Sequence, residues 1–76
     1  MNDRIKTVMS QVFDIDAATI DSTTTAKTVR RWDSLGHLNL CVALEEEFGV
    51  ALTTEQVVGM TSYDAVVDAL RLTSSR

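Results

Sequence analysis

A serine in the tripeptide Asp33-Ser34-Leu35 has the side chain best suited to covalent chemistry in this sequence. A hydroxyl acts as a nucleophile when a base lies within hydrogen-bond reach, and it can also accept a group from a partner enzyme. No Gly-x-Ser-x-Gly elbow surrounds Ser34. The single histidine, His37, follows three residues later on the same predicted helix and is expected to be a surface or cap-region residue. We therefore expect no hydrolytic triad and assign no catalytic residue.

The same serine also has a structural explanation. Serine and aspartate are both preferred as helix N-caps, so either Asp33 or Ser34 would satisfy a free backbone N–H at the start of a helix. Judged on propensity alone, a cap explains the serine better than any function does.

Composition excludes several other classes of function. One cysteine, Cys41, rules out an internal disulfide and any multi-cysteine metal site, and no other metal site is apparent. The formal charge of −4 and a pI of about 4.6 disfavour nucleic acid as a partner and suit proteins with basic patches. Residues 1–15 lack a signal-peptide core, and no apolar run approaches the length of a membrane span. We expect a cytoplasmic protein without membrane insertion.

The elements that must position the serine are predicted to be helical. The 76 residues contain no proline and 5% aromatic residues, which favours one small helical domain over residues 1–76 with an aliphatic core. Apolar residues at offsets 0, 3, 4, 7 and 8 from Ile5 predict a first helix that stops near Asp14. Residues 14–31 lose this period and predict a long ordered loop.

Three further helices are expected after this loop. The second extends from about Ser34 to Phe48 and ends at Gly49, a suitable left-handed C-cap. A short third helix follows, capped by Thr53 or Thr54. The last begins at Thr61, which forms a capping box with Asp64. Its buried stripe comprises Tyr63, Val66, Val67 and Leu70, and residues 73–76 are expected to fray.

The second helix carries two apolar faces on a wheel of about 100° per residue. The face expected to join the core comprises Leu40, Cys41, Leu44 and Phe48. Leu35, Leu38 and Val42 form a second arc roughly opposite, flanked by Glu45 and Glu46. An exposed apolar patch with a charged rim is typical of a protein-recognition surface. In the alternative, these side chains contact the long loop or another helix.

Residues 32–49, Trp-Asp-Ser-Leu-Gly-His-Leu-Asn-Leu-Cys-Val-Ala-Leu-Glu-Glu-Glu-Phe-Gly, resemble the attachment segment of the acyl carrier protein family. The shared features are Asp-Ser-Leu at the start of the helix and Leu-Glu-Glu-Glu-Phe-Gly at its end. The order of the predicted elements is similar over the whole chain. The resemblance implies an all-α fold, a small four-helix acyl-carrier-like bundle with a long first loop and a short third helix. We expect a monomer.

By this resemblance, Ser34 receives 4′-phosphopantetheine from coenzyme A. Asp33 is then an acidic contact for the phosphopantetheinyl transferase (holo-carrier synthase), and Leu35 docks on that enzyme or packs at the neck of an acyl pocket. The thiol of the arm holds acyl or aminoacyl groups as thioesters, so the chain itself is not an enzyme.

The resemblance also assigns a partner-binding face. Leu38, Val42, Glu45 and Glu46 would present the thioester to acyl-loading, condensing or tailoring enzymes. The segment Val-Arg-Arg-Trp at 29–32, and Gly36, depart from the Asp-Leu-Gly-x-Asp-Ser-Leu-Asp pattern of fatty-acid carriers. They favour a polyketide, non-ribosomal peptide or other dedicated acyl pathway.

Two other classes of function compete with a carrier. One is a non-covalent helical interaction module in which Ser34 is only a helix cap. The other is a helix-turn-helix DNA-binding protein, against which the negative charge and the absence of a basic recognition helix count strongly.

Overall fold

The computed structural model describes residues 2–74. Within this range the chain forms four α-helices and one 3₁₀ turn, and the predicted all-α fold with a short third helix is confirmed. The helices are α1 (Asn2–Phe13), α2 (Ser34–Phe48), α3 (Thr54–Gly59) and α4 (Tyr63–Ser74), with the 3₁₀ turn at Ala17–Thr19. The expected fraying over residues 73–76 is wrong for Thr73 and Ser74, which belong to α4, and its remainder, Ser75 and Arg76, lies outside the described residues.

Three helix ends follow from local sequence. Asp14 has φ = 55°, a left-handed conformation that ends α1, and the next N–H, of Ile15, donates to the carbonyl of Ser10 at 3.1 Å. Gly49 ends α2 with φ = 64°, as its residue type predicts. Thr53 caps α3 in a reciprocal capping box with Gln56.

The start of α4 differs from the prediction, which is wrong at this point. The helix begins at Tyr63, and the hydroxyl that caps it belongs to Ser62, which accepts from the N–H of Ala65 at 3.1 Å. Thr61 is held outside the helix because its carbonyl accepts from the N–H of Ala26 in the long loop at 2.9 Å. Pairing between distant segments therefore overrides the local capping-box pattern.

The long loop is ordered because it contributes to the core. Ile20, Val29 and Trp32 are buried, and buried Thr24 accepts from the N–H of Asp21 through its hydroxyl at 3.0 Å. Trp32 is 4% exposed and stacks on Phe13 of α1, with 5.1 Å between the ring centroids. This stack fixes the last part of the loop before α2.

The core is mainly the expected aliphatic one, and it also contains the aromatic side chains Phe13, Trp32 and Tyr63. Its fully buried large side chains are Ile5, Met9, Phe13, Ile20, Leu40, Leu44, Met60, Val66 and Leu70. Outside it, Arg4 links α1 to α2 through its guanidinium, which pairs with the carboxylate of Glu47 at 3.0 Å and lies 4.5 Å from the ring centroid of Phe48. Both charged side chains are about half exposed, so the pair contributes at most about 1 kcal/mol.

Candidate functional site

Asp33, and not Ser34, is the N-cap of α2. Its backbone is extended, and its carboxylate accepts from the N–H of Gly36 at 2.8 Å. Ser34 is the first helical residue and is exposed. Among residues 2–74, the hydroxyl of Ser34 has no hydrogen-bond partner. The explanation of Ser34 as a helix cap is therefore wrong, because its neighbour performs that role.

The surroundings of the Ser34 hydroxyl suit a phosphodiester. The hydroxyl stands at the N-terminus of a 15-residue helix, where the aligned peptide dipoles favour negative charge. It is exposed and has no hydrogen-bond partner within residues 2–74, so a partner enzyme can reach it. The residues present therefore fit a phosphate-linked group attached at this position.

His37 lies close to Ser34 but is unavailable as its base. The Nδ1 atom of His37 accepts from the indole N–H of Trp32 at 2.9 Å, and its Nε2 atom lies 2.6 Å from the carbonyl oxygen of Val57. Both ring nitrogens are thus occupied, and no nucleophile is activated here. No local pattern in the sequence indicates this link, because Val57 lies 20 residues further along the chain.

A groove of about 420 Å³ opens beside Ser34, between the end of the long loop, the first turn of α2 and α3. Its lining residues are Ala26, Trp32, Asp33, Ser34, His37, Val57, Val58 and Thr61. No periodicity in the sequence indicates it, since three separate segments form its walls.

A second hollow of about 240 Å³ lies on the other side of Asp33, and its lining includes Arg31, Leu35 and Asn39. Gly36 explains the close approach of the loop on this side. A Cβ at position 36 would overlap the carbonyl oxygen of Arg31. The glycine therefore lets the backbone of Arg31 pack directly against the first turn of α2.

The two apolar faces predicted for α2 are both present. Leu40, Cys41 and Leu44 are buried, and Phe48 packs partly against the core. The opposite face is exposed, with Leu35 at 69%, Leu38 at 58% and Val42 at 55% of their full accessible area.

The two glutamates assigned to this face differ in their surroundings. Glu46 is exposed. Glu45 is half-buried, and its carboxylate accepts from the N–H of Leu52 at 2.8 Å. Glu45 therefore also stabilises the connection that follows α2.

Cys41 is a buried thiol, as predicted. Burial, and to a lesser extent the negative charge of Glu45, raises the pKa of this thiol. A raised pKa keeps the thiolate fraction low, so Cys41 is a poor nucleophile.

Comparisons with known proteins agree with this geometry. A family model described as a phosphopantetheine attachment site matches residues 3–70. The mitochondrial acyl carrier protein of Dictyostelium discoideum is 36% identical over 73 residues, which cover 96% of this chain and 60% of that protein. The chain thus spans about three-fifths of the length of this curated relative. The solution structure of holo acyl carrier protein from Geobacter metallireducens superposes with a TM-score of 0.87 at 27% identity, covering 99% of this chain and 86% of that one.

None of the helices within residues 2–74 is long and apolar enough to cross a membrane. The matched family model describes a phosphopantetheine attachment site, and the solved relative is a holo acyl carrier protein. Since the family model extends over residues 3–70 and a relative is 36% identical over nearly the whole chain, the protein belongs to the acyl carrier protein family.

Proposed function

We propose that Ser34 bears the 4′-phosphopantetheine arm and that the chain delivers acyl or aminoacyl thioesters to partner enzymes without catalysing a reaction itself. The observation that carries the proposal is the exposed hydroxyl of Ser34 at the N-terminus of α2. It has no hydrogen-bond partner within residues 2–74, because Asp33 supplies the helix cap. The arm contributes a terminal thiol, which holds the cargo as a thioester.

The residues around Ser34 have positioning roles. Asp33 satisfies the N–H of Gly36 and leaves the Ser34 hydroxyl free to receive the arm. His37 is bound on both ring nitrogens and takes no proton from Ser34. The base for arm transfer therefore belongs to the phosphopantetheinyl transferase, and the chain is not expected to load itself.

Intact-mass measurement tests the attachment site. With coenzyme A and a phosphopantetheinyl transferase, the wild-type mass should rise by one phosphopantetheine, and Ser34→Ala should abolish the rise. Ser22→Ala is a matched control, because Ser22 is an equally simple exposed hydroxyl in the long loop. Retention of the gain by Ser34→Ala, or an unmodified wild type with several transferases, would show that the assignment is wrong.

The exposed face of α2 is the surface proposed to meet acyl-loading, condensing and tailoring enzymes. Apolar side chains at Leu35, Leu38 and Val42 line it, and Glu46 supplies negative charge that steers a basic patch on the partner. Leu38→Asp and Val42→Asp should weaken partner turnover while the helical circular dichroism is unchanged. Leu72→Asp is the matched control, since Leu72 is 74% exposed and belongs to a different helix, α4. Equal activity in all three variants would remove the face from the proposal.

Glu45 requires a separate test from Glu46. Glu45→Lys removes the acceptor for the N–H of Leu52. A loss of partner turnover in this variant would therefore combine weaker docking with a less stable fold. Glu46→Lys changes the same charge on an exposed side chain and isolates the docking contribution.

A dedicated acyl pathway is the proposed biological setting. Its support is the departure of Arg30, Arg31 and Gly36 from the usual carrier pattern. Arg31 borders the hollow that contains Leu35, so it adds a positive charge beside the docking face. Mass spectrometry of the protein from its native host, with the thioester intact, would identify the cargo. The cytoplasmic location stays a prediction, because the curated relative is mitochondrial.

A further inference from the structure

Hydrogen-bond chemistry fixes the protonation state of His37 in this structure. The indole N–H of Trp32 can only donate, so the Nδ1 atom of His37, 2.9 Å away, must accept. The Nε2 atom faces a carbonyl oxygen, that of Val57, at 2.6 Å, and must therefore carry the proton. The link exists only with a neutral imidazole in this one tautomer.

We propose that neutral His37 is a positioning residue that holds α3 against the start of α2, and that its protonation releases α3 from this contact. The link joins the loop at Trp32, the first turn of α2 and the carbonyl of Val57 on α3. These are three walls of the groove that opens beside Ser34. His37 thereby sets the width of that groove.

Protonation places two donors face to face. An added proton on Nδ1 of His37 points at the indole N–H of Trp32, so one ring has to move. Trp32 is buried and stacked on Phe13, whereas His37 is half-buried and can rotate toward water. A charged imidazolium also favours the solvated position. Rotation of His37 breaks its bond to Val57 together with the bond to Trp32.

The short third helix depends on such links. Six residues are too few for a helix that is stable on its own in water. On its other side, α3 is tied to α4 by Gln56, whose side-chain amide donates to the hydroxyl of Thr73 at 2.7 Å. Loss of the His37 bond therefore leaves α3 attached to α4 and free to move away from α2.

Few ionisable groups surround His37. Asp33 is the charged residue that shares the groove with it, and α1 presents the uncharged ring of Phe13 to Trp32. The ionisable side chain of α3, Glu55, is exposed and is not part of the groove lining. Cys41 lies one turn further along α2 as a neutral thiol whose pKa is raised by burial.

The chain contains one tryptophan and one histidine, so both ends of the link can be observed separately. Trp32 fluorescence reports whether the indole hydrogen bond is formed. Amide hydrogen exchange in residues 54–60 reports the opening of α3, once the rates are corrected for the intrinsic effect of pH. The comparison is made between pH 8 and pH 5, the interval in which histidines titrate. At the lower pH the fluorescence should differ, and the amides of α3 should exchange about fivefold faster, which corresponds to the loss of one hydrogen bond. Exchange in α4 serves as the internal reference and should not change.

His37→Gln separates the effect of protonation from the effect of the two hydrogen bonds. Its amide can accept from Trp32 and donate to Val57 but does not titrate, so the pH dependence should vanish while α3 stays protected at pH 5. Trp32→Phe removes the opposing donor together with the fluorophore, so hydrogen exchange is the readout, and the pH dependence of exchange in α3 should be lost in this variant as well. A second variant keeps the test valid if the first one folds poorly. A flat pH profile in the wild type, a fluorescence change without faster exchange in α3, or an unchanged pH response in His37→Gln would each overturn the proposal.

The inference does not depend on arm attachment. The measurements use the full chain with and without Ser34→Ala, and the same pH response is expected in both. Failure of the attachment site and failure of the His37 link therefore give different results.

Discussion

Gly36→Ala is a substitution for which helix propensity and packing predict opposite signs. Gly36 lies in the first turn of α2, where alanine is the better helix former by up to about 1 kcal/mol. The new methyl group, however, would overlap the carbonyl oxygen of Arg31 and lie 3.3 Å from the carboxylate of Asp33. The obstacle is backbone, which cannot rotate aside as a flexible side chain does.

The packing cost should exceed the propensity gain. To accept the methyl group, the Arg31 carbonyl must retreat by roughly one bond length. Such a retreat pulls on Trp32, whose N–H donates to the carbonyl of Val29 at 3.1 Å and whose ring stacks on Phe13. Overpacking of this kind costs about 1–3 kcal/mol. Because the obstacle is backbone, the cost should lie in the upper part of this range, and we expect Gly36→Ala to lower the free energy of unfolding by about 1–2 kcal/mol after the helix gain is subtracted.

The other two glycines supply matched controls, because they differ from Gly36 in the space available for a methyl group and from each other in φ. Gly59, at the end of α3, has open space where a methyl group would stand and an ordinary φ, so Gly59→Ala should stabilise by about 0.5 kcal/mol. Gly49 also has open space, but its φ of 64° penalises any Cβ, so Gly49→Ala should destabilise by about 1 kcal/mol.

Thermal and urea unfolding followed by far-UV circular dichroism give the three values. In a domain of this size, each 1 kcal/mol shifts the midpoint temperature by about 4–8 °C. Destabilisation in Gly36→Ala and Gly49→Ala, with stabilisation in Gly59→Ala, is the expected result. A Gly36→Ala variant as stable as the wild type would refute the close packing of Arg31 on α2.

Three further predictions concern charge and reactivity. Arg31→Glu should lower the KM of a partner with a basic patch several-fold, because it replaces a positive charge beside the docking face by a negative one. Arg30→Glu, the same change on a residue that lines a different hollow, should have little effect, and steady-state kinetics with one partner enzyme measures both. Cys41 should react with a thiol reagent at pH 8 far more slowly in the folded protein than in urea, because burial raises its pKa. The Thr23 hydroxyl and then the Thr23 N–H lower the pKa of Asp21, so this carboxylate stabilises the fold above its ordinary pKa and loses that contribution as pH falls through the lowered value. Asp21→Asn should therefore lower the midpoint temperature at pH 7, and the difference should shrink as the pH falls through the lowered pKa of Asp21.

The fold could largely be predicted because its helices carry strong local signals. The offsets from Ile5 indicate α1, Gly49 marks the end of α2, and Thr53 marks the start of α3. The two arcs of α2 also have the predicted burial, since helical geometry alone decides which side chains share a face. Each of these features depends on residues fewer than about ten positions apart.

The errors arise where distant segments meet. Thr61 and Asp64 have the sequence of a capping box, but the carbonyl of Thr61 pairs with Ala26 in the long loop, and Ser62 becomes the cap. The sequence predicts a surface or cap-region histidine at His37, yet this residue bonds Trp32 on one side and α3 on the other. Neither contact has a periodic signature in the sequence, so only the folded chain reveals them.

Two of the residues that depart from the usual carrier pattern, Arg31 and Trp32, each contact the first turn of α2. The backbone of Arg31 packs on Gly36, and the indole of Trp32 bonds to His37, so two successive loop residues each meet the residue five positions later. The two contacts hold the end of the loop against opposite sides of the first turn of α2, with the second hollow on one side and the groove on the other. Ser34 lies between these two contacts. They hold the residues on either side of it in place, whereas its own hydroxyl makes no hydrogen bond within residues 2–74. A side chain at position 36 is therefore disfavoured whatever residue stands at 31, because the contact is to backbone, whereas the residue at 37 has to accept from the indole N–H of Trp32.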